Sequence, residues 1–150
     1  MTGPQMHVAA LDAMDARTWH DLARLRVDVF VVEQQCAYAE LDGRDAEPSA
    51  RHMWTVDDDG PTSYLRLLTE PGAPAVRRIG RVCTAVRARG RGLSAALVRR
   101  ALAECGEGSE IVLDAQSHLQ HWYERLGFAV DGEEFLEDGI PHVPMRRSPA

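Results

Sequence analysis

Apolar residues recur with a helical period at three places in the chain. Between Thr18 and Val31, the residues Leu22, Leu25, Val29 and Phe30 share one face and predict a helix. Thr18 is its expected cap, with Asp21 in the first turn to complement the helix dipole. From about Gly92 to Glu104, Leu93, Leu97, Val98, Ala101 and Leu102 again form one face. In "SHLQHWYERLGF", Leu119, Trp122, Tyr123 and Leu126 stand at i, i+3, i+4 and i+7. Ser117 and Gln120 read as a capping box, and Gly127 sits where a helix C-cap glycine belongs.

Elsewhere the pattern is strand-like. Strands are expected at His7–Leu11, His52–Val56, Ser63–Thr69 and Val76–Ala85, with "DDDG" and "PGAP" as turns between the last three. Two hairpins in succession imply an antiparallel arrangement. "EIVLDA" is a nearly unbroken apolar run, as in a buried central strand. Short strands follow near Phe128–Val130 and Val143–Arg146, around a turn-rich "EEFLEDGIPH". The polar stretch "EQQCAYAELDGRDAEPSA" reads as loop. The expected fold is α+β, a mixed, mostly antiparallel sheet of about six or seven strands with helices on its faces. The 150 residues suit one domain.

Composition removes several classes of function. No run of 18 apolar residues suggests a membrane span, and no basic-then-apolar leader opens the chain, so a cytoplasmic location is expected. Cys36, Cys83 and Cys105 are odd in number and lack C-x-x-C spacing, against a disulfide framework or a zinc knuckle. His118 and His121 have no nearby third ligand, so no metal is expected. Charge is more informative. The net charge is −6, yet no Asp or Glu lies between Glu70 and Glu104, where Arg77, Arg78, Arg81, Arg87, Arg89, Arg91, Arg99 and Arg100 fall. Such asymmetry steers an anion to one face. Nucleic acid is not the expected anion, because no aromatic residue for base stacking lies between Tyr64 and Trp122.

The glycines narrow the choice. "VRARGRGLSAALVRR" follows a strand and opens a helix. Backbone N–H groups at a helix N-terminus are unpaired, and glycine lets an anion approach them. It is neither a P-loop nor a G-x-G-x-x-G turn: "GRGLSA" has Ala95 at the third position, and the antiparallel strands upstream do not suit a dinucleotide fold. Two registers of R-x-x-G overlap here, and helix phase separates them. With Gly92 at closest approach, Leu93 and Leu97 face the core and the small Ser94 faces the ligand; with Gly90 there, Arg91 would take the place of Leu93. Arg89, Gly90, Arg91, Gly92, Leu93 and Ser94 are the expected phosphate cradle, with Arg87 as accessory charge.

"RGRGLSAAL" resembles the acyl-CoA pyrophosphate loop of the GNAT N-acetyltransferase superfamily, Gln/Arg-x-x-Gly-x-Gly/Ala. "HWYERLGF" is similar to its second signature, an aromatic-Tyr-x-x-x-Gly-Phe. "VFVVEQQCAY", "LDGRD" and "EDGIPHVPM" resemble the ElaA-like branch, so the matches span most of the chain. The resemblance implies acetyl-CoA as co-substrate and direct transfer of acetyl to a primary amine in a ternary complex. A non-catalytic acyl-CoA sensor is the alternative. The implied partners are a small-molecule or peptide amine and, as an option, a second copy of the chain in a homodimer.

By that resemblance Val82, Cys83 and Thr84 would meet the pantetheine arm, and Tyr123 would protonate the departing thiolate. Gln116 stands where the family often has Asn. The glutamate many members carry on the strand before the loop is missing from "RRIGRVCTA", which leaves Glu33 and His142 as candidate bases. Glu40, Asp42, Asp45 and Glu47, with Glu133, Glu134, Glu137 and Asp138, would give acidic walls that suit a cationic acceptor.

Overall fold

The computed structural model describes residues 4–149. In chain order the main elements are β1 (Gln5–Ala9), α1 (Ala16–Val27), β2 (Arg51–Asp57), β3 (Gly60–Glu70), β4 (Ala73–Thr84), α2 (Leu93–Cys105), β5 (Glu110–Gln116), α3 (Gln120–Glu124), β6 (Ala129–Val130), β7 (Phe135–Glu137) and β8 (Ile140–Arg147). The strands form one sheet in the order β1-β2-β3-β4-β5-β8-β6, with β7 also paired to β8. Among the described residues only β4 and β5 run parallel. Among the described residues no helix is long and apolar enough to cross a membrane.

Strand alternation sorts the core onto two faces. Met53, Leu65, Leu67 and Ile79 pack under Leu97, Val98 and Ala101 of α2, with Tyr123 and Phe128 beside them. Trp54 and Tyr64 point the other way, onto Leu22 and Leu25 of α1 and Val29 just beyond its end. One irregularity decides what β4 presents. Tyr64 pairs with Cys83 but Arg66 pairs with Gly80, so β4 carries an extra residue there. Arg81 lies in that bulge at φ +55. A bulge shifts the alternation by one. Cys83 therefore joins Tyr64 on the α1 side, while Val82 packs toward α2.

β4 and β5 pair only from Val76–Arg78 to Glu110–Val112. Beyond that β4 stays with β3 and β5 with β8, so the sheet splits into a V that opens toward the start of α2.

Several local expectations are corrected. Asp15, not Thr18, caps α1: its Oδ1 accepts from the Thr18 N–H at 2.7 Å, so Thr18 is the capped position. The α-helix ends at Val27 and continues as a π-helical stretch through Glu33. Ser117 does not cap α3. Its hydroxyl donates to Glu134 instead (2.8 Å), and a 3₁₀ turn precedes the short helix. The "EEFLEDGIPH" segment is a hairpin rather than a turn-rich loop. Asp138 and Gly139, both at positive φ, join β7 to β8. That hairpin supplies the eighth strand.

Candidate functional site

A cavity of about 960 Å³ fills the V between β4 and β5. Its upper end is the glycine-arginine turn. Gly90 and Gly92 both take left-handed backbone, φ +79 and +72, which glycine alone adopts without strain. No atom lies within 4 Å of where a Cβ would stand on either, so the backbone is open to a ligand. Gly92 is the N-cap of α2 and supplies no side-chain acceptor. The first turn begins its bonding at Ala96 N–H to Gly92 O, which leaves the amides of Leu93, Ser94 and Ala95 without helical partners. Thr84 and Ser94 hydroxyls are 2.5 Å apart and tie the end of β4 to this turn. Arg89, Gly90, Arg91, Gly92, Leu93 and Ser94 all line the cavity.

Arg87 is not brought there. Its guanidinium turns away to Asp57 and to the carbonyls of Gly60 and Pro61, and it is absent from the lining. Three residues decide this: Asp57, Gly60 and Pro61, around the β2–β3 turn, capture the side chain before it can reach the mouth.

The wall beneath is β4. Val82, Cys83 and Thr84 line the cavity along an edge with no strand partner on the β5 side. Burial pushes the Cys83 thiol up to about 12, so it stays protonated and inert. Opposite, Tyr123 is held by edge-on contacts with Trp122 and Phe128. Burial, and then the nearby Cys83, pushes its phenol above the ordinary value. Its hydroxyl has no hydrogen-bond partner among the described residues and is not among the fully enclosed polar atoms; Tyr123 faces the cavity. A protonated phenol beside an open cavity is suited to donate.

The two candidate bases differ sharply. Glu33, the last residue of the π-helical stretch, is gripped by Arg89 in a two-point ion pair of 2.6 and 2.7 Å. The hydrogen bond from Arg89 holds its carboxyl below the usual range. It is therefore a poor proton acceptor. His142 lies on β8 next to Gln116 of β5 and is almost fully buried. Its Nδ1 is 2.7 Å from the Ile140 carbonyl, which can only accept, so Nδ1 carries the proton. Nε2, which carries the lone pair in the neutral ring, lies 3.7 Å from Glu137 Oε2, and the ring stacks on Phe135. Gln116 itself exchanges amide contacts with Gln34 (3.2 and 3.5 Å), closing the cavity between the end of the π-helical stretch and β5.

The expected acidic wall from the first loop is corrected. Glu40 and Asp45 are buried, and they neutralise Arg26, which is wholly enclosed: Arg26 Nε donates to Glu40 (2.7 Å) and Nη1 to Asp45 (2.6 Å). Arg66 takes Asp42, Arg81 takes Glu40, and Arg44 takes Glu47. Arginines from α1, β3 and β4, distant in sequence, consume the charges of Glu40, Asp42 and Asp45, and the neighbouring Arg44 that of Glu47. Glu137 and Asp138 of the β7–β8 hairpin do reach the cavity, whereas Glu133 and Glu134 do not line it. Gln34, Tyr38, Arg78 and Asp114 also line it. Sequence reasoning did not single them out, because lining the cavity depends on how β4, β5 and the loop after the π-helical stretch meet in space and not on a local pattern.

Comparison with known proteins agrees with this geometry. Residues 19–149 match the family model for the acetyltransferase (GNAT) domain. A UPF0039 protein of Mycobacterium tuberculosis is 51% identical over 149 residues, 98% of this chain and 94% of that protein. ElaA of Escherichia coli is 36% identical over 129 residues, 84% of each. Its crystal structure superposes with a TM-score of 0.90 at 31% identity, covering 97% of this chain and all (100%) of that one. An acyl-CoA N-acyltransferase from Pseudomonas aeruginosa superposes with a TM-score of 0.90 at 37% identity, covering 97% and 100%. The split sheet, the glycine turn at the start of α2 and these matches lead to one conclusion: the chain belongs to the GNAT acetyltransferase family, on its ElaA-like branch.

Proposed function

We propose that the protein is an acetyl-CoA-dependent N-acetyltransferase that acetylates a primary amine, on a small molecule or a peptide, by direct transfer in the cytoplasm. One observation carries the reading. The V between β4 and β5 joins a bare strand edge to three free helix-start amides, with a buried phenol and a free imidazole nitrogen on the same cavity. The amides of Leu93, Ser94 and Ala95 and the open backbone of Gly90 and Gly92 fit a pyrophosphate. Val82 to Thr84 fit an extended pantetheine arm, which adds to the edge as a strand would.

Acetyl-CoA supplies an acetyl group activated as a thioester. His142 Nε2 takes the proton that the amine must lose to expose its lone pair. The amine nitrogen then bonds to the carbonyl carbon, and the C–S bond breaks. Tyr123 gives its proton to the departing thiolate: burial keeps the phenol protonated, and the same desolvation makes the thiolate forming beside it more basic than in water. The second proton shed by the new amide nitrogen returns to the tyrosinate left on Tyr123, while His142 releases its proton to solvent. Glu33, whose carboxylate is occupied by Arg89, is not the base in this scheme.

The test is thiol release from acetyl-CoA across a panel of amines, with Tyr123→Phe alongside. Amine-dependent release that collapses in the variant supports transfer. Coenzyme binding with no release for any amine would make the protein a sensor instead.

A further inference from the structure

The contact between Arg89 and Glu33 joins the two halves of the site. Arg89 comes from the glycine turn and Glu33 from the end of the π-helical stretch after α1, 56 residues earlier. π-helical turns are often found at functional sites. Both guanidinium ends are used on Glu33, at 2.7 Å (Nη1 to Oε2) and 2.6 Å (Nη2 to Oε1), while Nε donates to the Thr84 carbonyl at 3.1 Å. Both side chains are about two-fifths exposed, so solvent reaches the pair. In this arrangement the arginine that should serve the phosphates is turned onto a protein carboxylate. The carboxylate, in turn, is masked within a cavity where a cationic amine must dock.

We infer that Glu33 and the coenzyme pyrophosphate compete for Arg89, and that the exchange uncovers Glu33 as the carboxylate that docks the acceptor's ammonium group. Glu33 is then a specificity-determining residue and not the base. The inference rests on the reading of Arg89–Ser94 as a pyrophosphate cradle. The chemistry is partner exchange alone: the pyrophosphate offers Arg89 more charge and better bidentate geometry than a single carboxylate. The carboxylate released from Arg89 keeps its negative charge beside the acceptor half of the cavity. Of the other acids lining that half, Asp42 is paired to Arg66 and Asp114 to Arg78. Glu137 and Asp138 lie on the opposite hairpin, near His142.

The experiment is a double-mutant cycle on coenzyme A affinity, read by calorimetry on the whole protein. Glu33→Gln removes the competitor, so coenzyme A binds about two- to fivefold tighter, the range of one exposed ion pair. In an Arg89→Ala background the same change has no effect, because the coupling runs through Arg89. Unchanged or weaker binding in Glu33→Gln overturns the exchange. So does tightening of equal size without Arg89, which would be diffuse charge. The acceptor arm is kinetic. Glu33→Gln raises the amine KM severalfold and leaves kcat in place; a collapse in kcat at constant KM would make Glu33 a base, and no change in either would remove it from docking. If the parent protein binds no coenzyme A, the cradle reading itself has failed, which is a separate result.

Discussion

Arg81 reaches from a left-handed bulge residue to a buried carboxylate: its Nε donates to Glu40 Oε2 at 2.9 Å while its own backbone sits at φ +55. The bulge that opens the sheet is thus anchored by the acidic loop. Two effects can be separated by substitution. Arg81→Ala loses the ion pair and keeps the backbone strain, whereas Arg81→Gly loses the pair and relieves it. The glycine variant is expected to be more stable than the alanine variant by about 1 kcal/mol, as chemical denaturation can measure. Equal stabilities would mean the bulge closes in both.

Burial separates two ion pairs of the same loop. Arg26 has no solvent exposure, and Asp45 is almost as enclosed. Asp45→Ala leaves a buried guanidinium with half its partners and is expected to cost about 3 kcal/mol or more. Glu47, which pairs with Arg44 at 2.8 Å in partial exposure, should cost less than about 1 kcal/mol when replaced by alanine. Urea titrations of the two variants check the contrast.

The same network makes acid stability predictable. Burial raises the Asp42 carboxyl, but the hydrogen bonds from Arg66 and from the Arg44 amide, with the charges of Arg66 and Arg81, outweigh it and bring it to about 2 from 3.8. A carboxyl depressed by folding stabilises above its unfolded value, and this contribution is lost as pH falls. Its share is therefore present above about pH 4 and disappears between there and about pH 2. Thermal unfolding followed from pH 5 to 2 should show Asp42→Asn with a flatter acid loss than the parent.

Tyr123 should separate catalysis from folding. Its ring fills the core beside Phe128, but its hydroxyl has no protein partner to lose. Tyr123→Phe is expected to lower kcat by about 10²–10⁴ with the melting temperature nearly unchanged. A large fall in melting temperature with kcat retained would make the tyrosine a packing residue.

His142 carries a prediction about the acceptor. His142→Gln removes the nitrogen that takes the proton and should lower kcat/KM by about 10²-fold or more for a strongly basic amine. The loss should shrink for an amine of low pKa, which is already neutral at the assay pH. Equal losses for both amines would assign the proton to another acceptor.

Much of the architecture is legible in local pattern. Leu97, Val98 and Ala101 share a helical face because of spacing alone, and they do pack on the sheet. The glycine turn that opens α2 is legible too, since left-handed glycines before a helix are a local property of the chain. What failed locally were choices between near-equal caps: Thr18 against Asp15, and Ser117 as a cap against Ser117 as a partner of Glu134. The Asp138-Gly139 hairpin was readable but lay hidden in a segment rich in acids.

By itself, then, the chain determined its helices, its antiparallel order and its glycine turn, because each depends on residues within a few positions of one another. Only the tertiary structure decided which charges are free. Glu40, Asp42 and Asp45 look like a surface for cations until Arg26, Arg66 and Arg81 arrive from three other elements. Glu33 looks like a free carboxylate until Arg89 clamps it, and His142 gains a fixed ring orientation only when the Ile140 carbonyl meets its Nδ1. Electrostatic partners act through space, and in a folded chain neighbours in space are seldom neighbours in sequence.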